Sequence, residues 1–195
     1  MATKESYSET KERIRQCAME LFKEQGYDNV TVVQICDYAG VTKRTFYYHY
    51  ESKDELLSGA TNYIGMQAER LLASMASQQT NVGILWTLMS VYSNNSQDYG
   101  SNIIKQIYIN MLQGKVDEQF PYTMYLYNTV VRTIDNAQRA GEITNKATAE
   151  DIAFALYHGF RSATITWSAQ DGNFDLVREF RRIFNTILGV VSEDY

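Results

Sequence analysis

Residues 31–53 read TVVQICDYAGVTKRTFYYHYESK, and the fold turns on how this stretch is parsed. Thr31 and Gln34 stand at capping-box spacing, Thr-x-x-Gln, so the Thr31 hydroxyl can close the first turn of a helix. Ala39-Gly40 supplies a bend that only small residues allow, and Thr42 is a natural N-cap for a second short helix. Val33, Ile35, Cys36, Ala39, Val41 and Phe46 give the pair a small apolar inner surface. Thr42, Lys43, Arg44, Tyr47, Tyr48 and His49 are left for the outer one. Hydroxyls, two adjacent cations and aromatic hydroxyls on a compact helix suit phosphates and the base edges of a major groove. The pattern is a helix-turn-helix over about residues 31–50.

Upstream, Ile14, Cys17, Ala18, Leu21 and Phe22 recur with the period of one buried helical stripe. This helix is expected to begin between Ser6 and Thr10 and to end before Gly26, after which Tyr27 packs back. Taken with TKERIRQCAMELFKEQGYDNV (residues 10–30), the stretch resembles the DNA-binding domain of TetR/AcrR-type transcriptional regulators. The likeness covers roughly Thr10 to Leu57 and rests on Leu21-Phe22, Gly26-Tyr27, Thr31, Ile35, Ala39-Gly40-Val41, Tyr47, His49 and Ser52-Lys53. Arg15 departs from it, since relatives often carry an apolar residue there.

The resemblance implies a DNA-binding set of Thr31, Thr42, Lys43, Arg44, Tyr47, Tyr48, His49 and Lys53. Lys43 and Arg44 lie in the first turn of the second helix, where side chains can reach base edges. Arg44, often a small residue in relatives, could take guanine in a bidentate contact or hold a phosphate. Tyr47, Tyr48 and His49 resemble the family's phosphate-clamping run, with the alternative that one or two of them pack beneath the helix. Lys53 matches a lysine that grips the DNA backbone. Tyr50 stands where Phe is usual and is expected in the core.

Composition sets the limits. The chain has 195 residues, 45% of them hydrophobic, with 1 Pro and 11 Gly, which fits an all-α protein with a real core. The net charge is −5, and residues 1–57 carry 8 Lys/Arg against 10 Asp/Glu. From Tyr38 to Lys53, however, 3 basic residues face a single acid, Glu51, so DNA binding must come from local placement and helix N-termini. The 2 cysteines, Cys17 and Cys36, fall on apolar helix faces and read as buried packing residues. With His49 and His158 the only histidines, no metal-ligand spacing arises, and no cofactor is expected. MATKESYSETKE has no apolar run of a signal peptide, and no window approaches a membrane span, so the expected address is cytoplasmic.

Beyond the reader, Ser52-Lys53-Asp54-Glu55 is a second capping box. It is expected to open a long helix through Leu56, Leu57, Ala60, Tyr63, Ile64, Gln67, Leu71 and Met75. The expected architecture is an N-terminal three-helix helix-turn-helix domain, residues 1–57. This long helix joins it to a C-terminal helical ligand-binding and dimerisation domain, residues 58–195. Further helices are expected over Val82–Tyr92, Ile103–Gln113 and from Phe120-Pro121 to Gly141, with Asn94–Asp98 a polar loop. Thr148-x-x-Asp151 should cap the penultimate helix, and Asp171-Gly172-Asn173 should turn the chain into the last.

Ala155, Gly159 and Ala163 recur every four residues, and the last helix carries a wide stripe that includes Phe180, Ile183, Phe184 and Ile187. These seven residues are assigned to an isologous homodimer in which two helices from each chain form a four-helix bundle, with an ordinary intrachain core as the alternative. Tyr63, Met66, Trp86, Met89, Tyr108, Met111, Tyr125, Phe160 and Trp167 are assigned to a pocket for a small apolar or aromatic effector, which Tyr and Met suit and which the resemblance chiefly implies, with helix core and surface tyrosine as the alternative. His158 is expected in that pocket or in the core.

The implied function is a ligand-responsive regulator, most simply a dimeric repressor of a pseudo-palindromic double-stranded operator. Two alternatives stand beside it. One is a helical dimeric interaction protein that has lost operator reading. The other is an enzyme using the C-terminal cavity, although no nucleophile elbow, phosphate loop or spaced carboxylate pair is present.

Overall fold

The computed structural model describes residues 4–57, 60–74, 80–114, 121 and 124–190; for residues 4–6, 60–63, 66 and 74 it describes the backbone alone. Among the described residues the chain is all-helical: α1 (Lys4–Gln25), α2 (Val32–Ala39), α3 (Lys43–His49), α4 (Ala60–Ser74), α5 (Asn81–Tyr99), α6 (Ser101–Leu112), α7 (Tyr127–Arg139), α8 (Ala149–Ala169) and α9 (Leu176–Leu188). Two short 3₁₀ turns, Tyr27–Asn29 and Asp54–Leu57, punctuate the N-terminal part.

The helices form two compact units. The first is Met1–Gly59 with Asn102–Asp117, and the second is Ala60–Ser101 with Glu118–Tyr195. The first unit therefore contains α1–α3 together with nearly all of α6. Ile14, Ala18, Phe22, Ile35, Phe46, Leu56 and Ile103 are buried in it, as the helical periodicity requires.

The second unit is a bundle of α4, α5, α7, α8 and α9 around Leu85, Leu88, Met89, Val130, Ile134, Ile152, Leu156, Phe180, Phe184 and Leu188. Its helix ends are closed by nearby side chains. Thr148 accepts from the Asp151 amide at 3.1 Å, and Asp175 from that of Arg178 at 3.0 Å. Glu142, in the turn after α7, accepts from the Val82 amide at 2.9 Å and from Asn81 Nδ2 at 2.7 Å, placing a carboxylate at the positive end of α5.

Several boundaries differ from the sequence reading. Asn94–Asp98 is not a loop: α5 runs through it to Tyr99. Asn95 Nδ2 donates to Val91 O at 2.8 Å and Ser96 Oγ to Tyr92 O at 2.9 Å, so the polar side chains fold back onto their own helix. The Ser52 box does not open the long helix. Ser52 accepts from the Glu55 amide at 3.2 Å to close the 3₁₀ turn Asp54–Leu57, and α4 starts at Ala60. Met75, assigned to that helix, lies outside the described residues. Pro121 sits in a turn, and α7 begins only at Tyr127, after a further turn at 124–126.

Candidate nucleic-acid interface

Thr31 caps α2 with the predicted reciprocity: its hydroxyl accepts from the Gln34 amide at 3.3 Å, and Gln34 Oε1 accepts from the Thr31 amide at 2.8 Å. Gly40 then adopts the left-handed conformation, φ 64° and ψ 38°. Nothing lies within 4 Å of where its Cβ would be, so the glycine is required by backbone conformation and not by crowding. The Val41 amide returns to Cys36 O at 2.9 Å, which ends α2 and aims the chain into α3. Thr42 caps α3 by accepting from the Thr45 amide at 3.1 Å.

Phe46, fully buried, fixes α3 on one side. Tyr50 caps its far end and donates its hydroxyl to Lys11 O of α1 at 2.9 Å. With both ends and the inner face tied down, the outer face is left to solvent. Thr42, Lys43 and Arg44 are exposed, as are Tyr47 at 56% and Tyr48 at 71%. Two aromatic side chains this open on a seven-residue helix have no packing role large enough to explain them.

His49 and Lys53 turn inward. His49 is buried (7% exposed), with its ring 4.5 Å from that of Tyr7 and 5.1 Å from that of Tyr48. Its Nδ1 has no hydrogen-bond partner, and burial, followed by the nearby Lys11 charge, holds the imidazole below its ordinary pKa. Lys53 Nζ donates to Tyr27 O at 2.7 Å and Val30 O at 3.0 Å, and lies 4.0 Å from the centre of the Tyr27 ring. Two of its three donors thus brace the segment before α2. Thr31 is exposed, with its hydroxyl engaged by Gln34.

Sequence reasoning missed one polar cluster in this unit. Asp54 Oδ1 accepts from the Tyr27 hydroxyl and from Asn110 Nδ2 of α6 at 3.0 Å, while Gln106 donates to Asn110 Oδ1 at 2.8 Å. Burial first, and the Asp54 carboxylate next, push the Tyr27 phenol well above its ordinary value. The signal available was Asn110, a lone amide within the apolar run of α6.

The described residues assigned to a pocket are divided between the two units. Tyr108 and Met111 belong to α6 and hence to the first unit. The side chains of Tyr63 and Met66 lie outside the described residues. Trp86 packs on Phe180 and Phe184, with the Arg181 guanidinium 4.4 Å from its ring centre. Met89 is buried core, Phe160 stacks edge-on to Phe180, and Trp167 donates to Phe174 O at 2.9 Å. Tyr125 is 47% exposed and donates to Glu69 at 2.8 Å. His158 is neither core nor pocket: it is exposed, with its ring against Phe154 at 4.1 Å.

Of the residues assigned to a dimer face, Phe180 and Phe184 are fully buried inside the single chain, leaving no ring surface for a second chain to cover. A Cβ at Gly159 would stand 2.8 Å from Ile183 Cγ2, so the small residue serves the close packing of α8 on α9. Ala163 is buried, whereas Ala155, Gly159, Ile183 and Ile187 stay half-buried. Beside them, Ser162, Thr166, Gln170, Arg178, Arg182 and Ile183 help to line an open groove of about 630 Å³.

A capped helix-turn-helix with cations and tyrosines on its outer face is the arrangement that DNA-binding regulators use. Residues 14–60 match the family model for bacterial regulatory proteins of the tetR family. The helix-turn-helix segment is thus similar to that of TetR-type transcriptional regulators. The chain is 24% identical over 198 aligned residues to the HTH-type transcriptional repressor BepR of Brucella suis biovar 1 (strain 1330), covering 95% of this chain and 93% of BepR.

In fold it is similar to FadR of Thermus thermophilus, a TetR-family repressor solved with lauroyl-CoA (TM-score 0.64, 20% identity, 95% of this chain and 97% of that one). It is also similar to TylP, a TetR regulator from Streptomyces fradiae (TM-score 0.62, 19% identity, 95% and 87%). No described helix is long and apolar enough to cross a membrane.

Proposed function

We propose that this chain is a ligand-responsive repressor that acts as a homodimer in the cytoplasm on a pseudo-palindromic operator. The observation that carries the reading is the outer face of α3, where Thr42, Lys43, Arg44, Tyr47 and Tyr48 stand exposed on a helix held at both ends. In this reading Lys43 and Arg44 reach base edges from the first turn, while Tyr47, Tyr48 and Thr31 position the backbone. His49 supports Tyr48 from beneath, and Lys53 keeps the segment before α2 in place, with one donor left for a phosphate.

A homodimer sets two α3 helices one helical turn of DNA apart. The half-buried edge of α8 and α9, with Ala155, Gly159, Ile183 and Ile187, is its interface. A small apolar or aromatic effector in the second unit then weakens DNA binding through the chain connections to the first. A coupling of about 1–3 kcal/mol, or roughly 5- to 150-fold in affinity, is enough. Repression as the sign of control follows BepR and FadR, both named as repressors.

Fluorescence anisotropy tests this with labelled duplex from upstream of the chain's own gene against scrambled duplex, over a salt series. About 6 to 8 phosphate contacts per dimer predict a log–log slope near −5 to −7. Lys43→Ala with Tyr47→Ala should remove selective binding. Equal, weak binding of both duplexes calls for operator selection from genomic DNA. Failure of that selection as well would leave the helical interaction protein as the better reading.

A further inference from the structure

We propose that Tyr92 is the polar anchor of an effector site within the second unit. We infer that its ligand is an uncharged, largely aromatic molecule offering one hydrogen-bond acceptor, such as a ketone or ether oxygen. The proposal rests on reading this unit as effector-binding and adds the chemistry of that site.

The buried serine and threonine hydroxyls of the second unit follow one habit. Ser93, Ser96, Thr133, Thr164 and Ser168 each bond to a carbonyl of their own helix three or four residues back. Tyr92 breaks it. Its side chain is too long to reach back to its own helix, it is 1% exposed, and its Oη has no hydrogen-bond partner. A hydroxyl taken from water and left unbonded is costly, and such a group marks a place where structure has been set aside for another purpose.

What surrounds it fits a ligand. The rings of Tyr157 and Phe160 lie 6.4 and 6.0 Å from that of Tyr92, and Tyr127 lies 5.8 Å beyond Tyr157. Gly65 of α4 closes the other side. A Cβ there would stand 3.1 Å from Tyr92 Oη and 2.8 Å from Tyr125 Cβ. The α4 backbone, the hydroxyl and the turn carrying Tyr125 thus meet at one point.

Tyr125 is the cover: half-exposed, it is held to Glu69 of α4 by a hydrogen bond at the surface. Swinging it away uncovers Gly65 and the hydroxyl behind it. Burial raises the Tyr92 phenol well above its ordinary value, so it stays protonated and donates. The described buried polar residues of this unit, Ser93, Ser96, Thr133, Thr164, Ser168 and Asn185, are all uncharged. An ionic ligand would find no counter-charge among them.

The test uses the full chain and three probes of one shape: 2-acetylnaphthalene, 2-ethylnaphthalene and 2-naphthoate, followed by tryptophan fluorescence. The wild type should bind the ketone about five- to tenfold more tightly than the hydrocarbon, the worth of one neutral hydrogen bond, and the anion most weakly. Tyr92→Phe should erase that preference, leave the hydrocarbon unchanged, and melt no lower than the wild type when empty. A preference that survives in Tyr92→Phe, an anion that binds tightest, an empty variant that melts lower, or no binding of any probe would each overturn the proposal.

Operator anisotropy separates this site from the regulatory reading. A Tyr92-dependent ketone that leaves DNA affinity unaltered upholds the site and defeats the effector reading. Equal release of DNA from wild type and Tyr92→Phe does the reverse.

Discussion

The reader and the second bundle differ in how much buried polarity they leave unbonded. In the first unit the α2 cap is reciprocal, Lys53 donates to two carbonyls, Tyr50 reaches Lys11, and Asp54 gathers Tyr27 and Asn110 around one carboxylate. His49 Nδ1 is the exception. In the second unit Tyr92 Oη and both amide atoms of Asn185 are buried without hydrogen-bond partners. A satisfied polar network commits a domain to one geometry, whereas unsatisfied groups leave stability unused. The contrast suits the proposed function, in which one body presents two tyrosines and two cations in register and the other takes an effector.

The largest expected effect tests the satisfied side. Asp54→Ala strands the Tyr27 hydroxyl and the fully buried Asn110 amide together, and should cost about 2–3 kcal/mol in urea denaturation. A loss under half a kcal/mol would mean that the cluster is decoration. On the unsatisfied side the sign should invert. Asn185→Leu removes two unbonded amide atoms from an apolar setting and should be neutral or stabilising by about 1–2 kcal/mol. Clear destabilisation would erase the contrast between the units.

The smallest effect concerns the exception. His49 has its pKa lowered in the folded chain, so as pH falls through about 6.5 the unfolded chain takes up the proton first and stability declines. The decline is complete below the folded pKa and absent well above 6.5. Comparing urea midpoints at pH 7.5 and 5.5, His49→Phe should lose less than the wild type. An identical drop in both would show that another group carries the pH dependence.

The parts of the molecule legible in the sequence are those decided within a few residues. Thr31 with Gln34, Gly40, Thr42, Thr148 with Asp151, and the turn at Asp171-Gly172 are each set by local bonds or a permitted φ. Asn94–Asp98 misled because polarity alone cannot separate a loop from a helix whose serine is buried and bonded backwards. The aromatic assignment mixed two bodies, since Tyr108 and Met111 carry no mark that α6 belongs with the reader. Gly159, assigned to a dimer face, meets Ile183 of the same chain. Which helix meets which is a property of topology, and periodicity does not encode it.

The first unit is discontinuous, and this bears on synthesis. Its first segment ends at Gly59, but Asn110, Ile103 and Ile104 arrive only with Asn102–Asp117, after α4 and α5 have been made. A ribosome therefore releases the helix-turn-helix well before the carboxylate of Asp54 can receive its amide from α6. The half-made chain carries a first unit that stays unfinished until α6 emerges, with α7, α8 and α9 of the second unit still to be made.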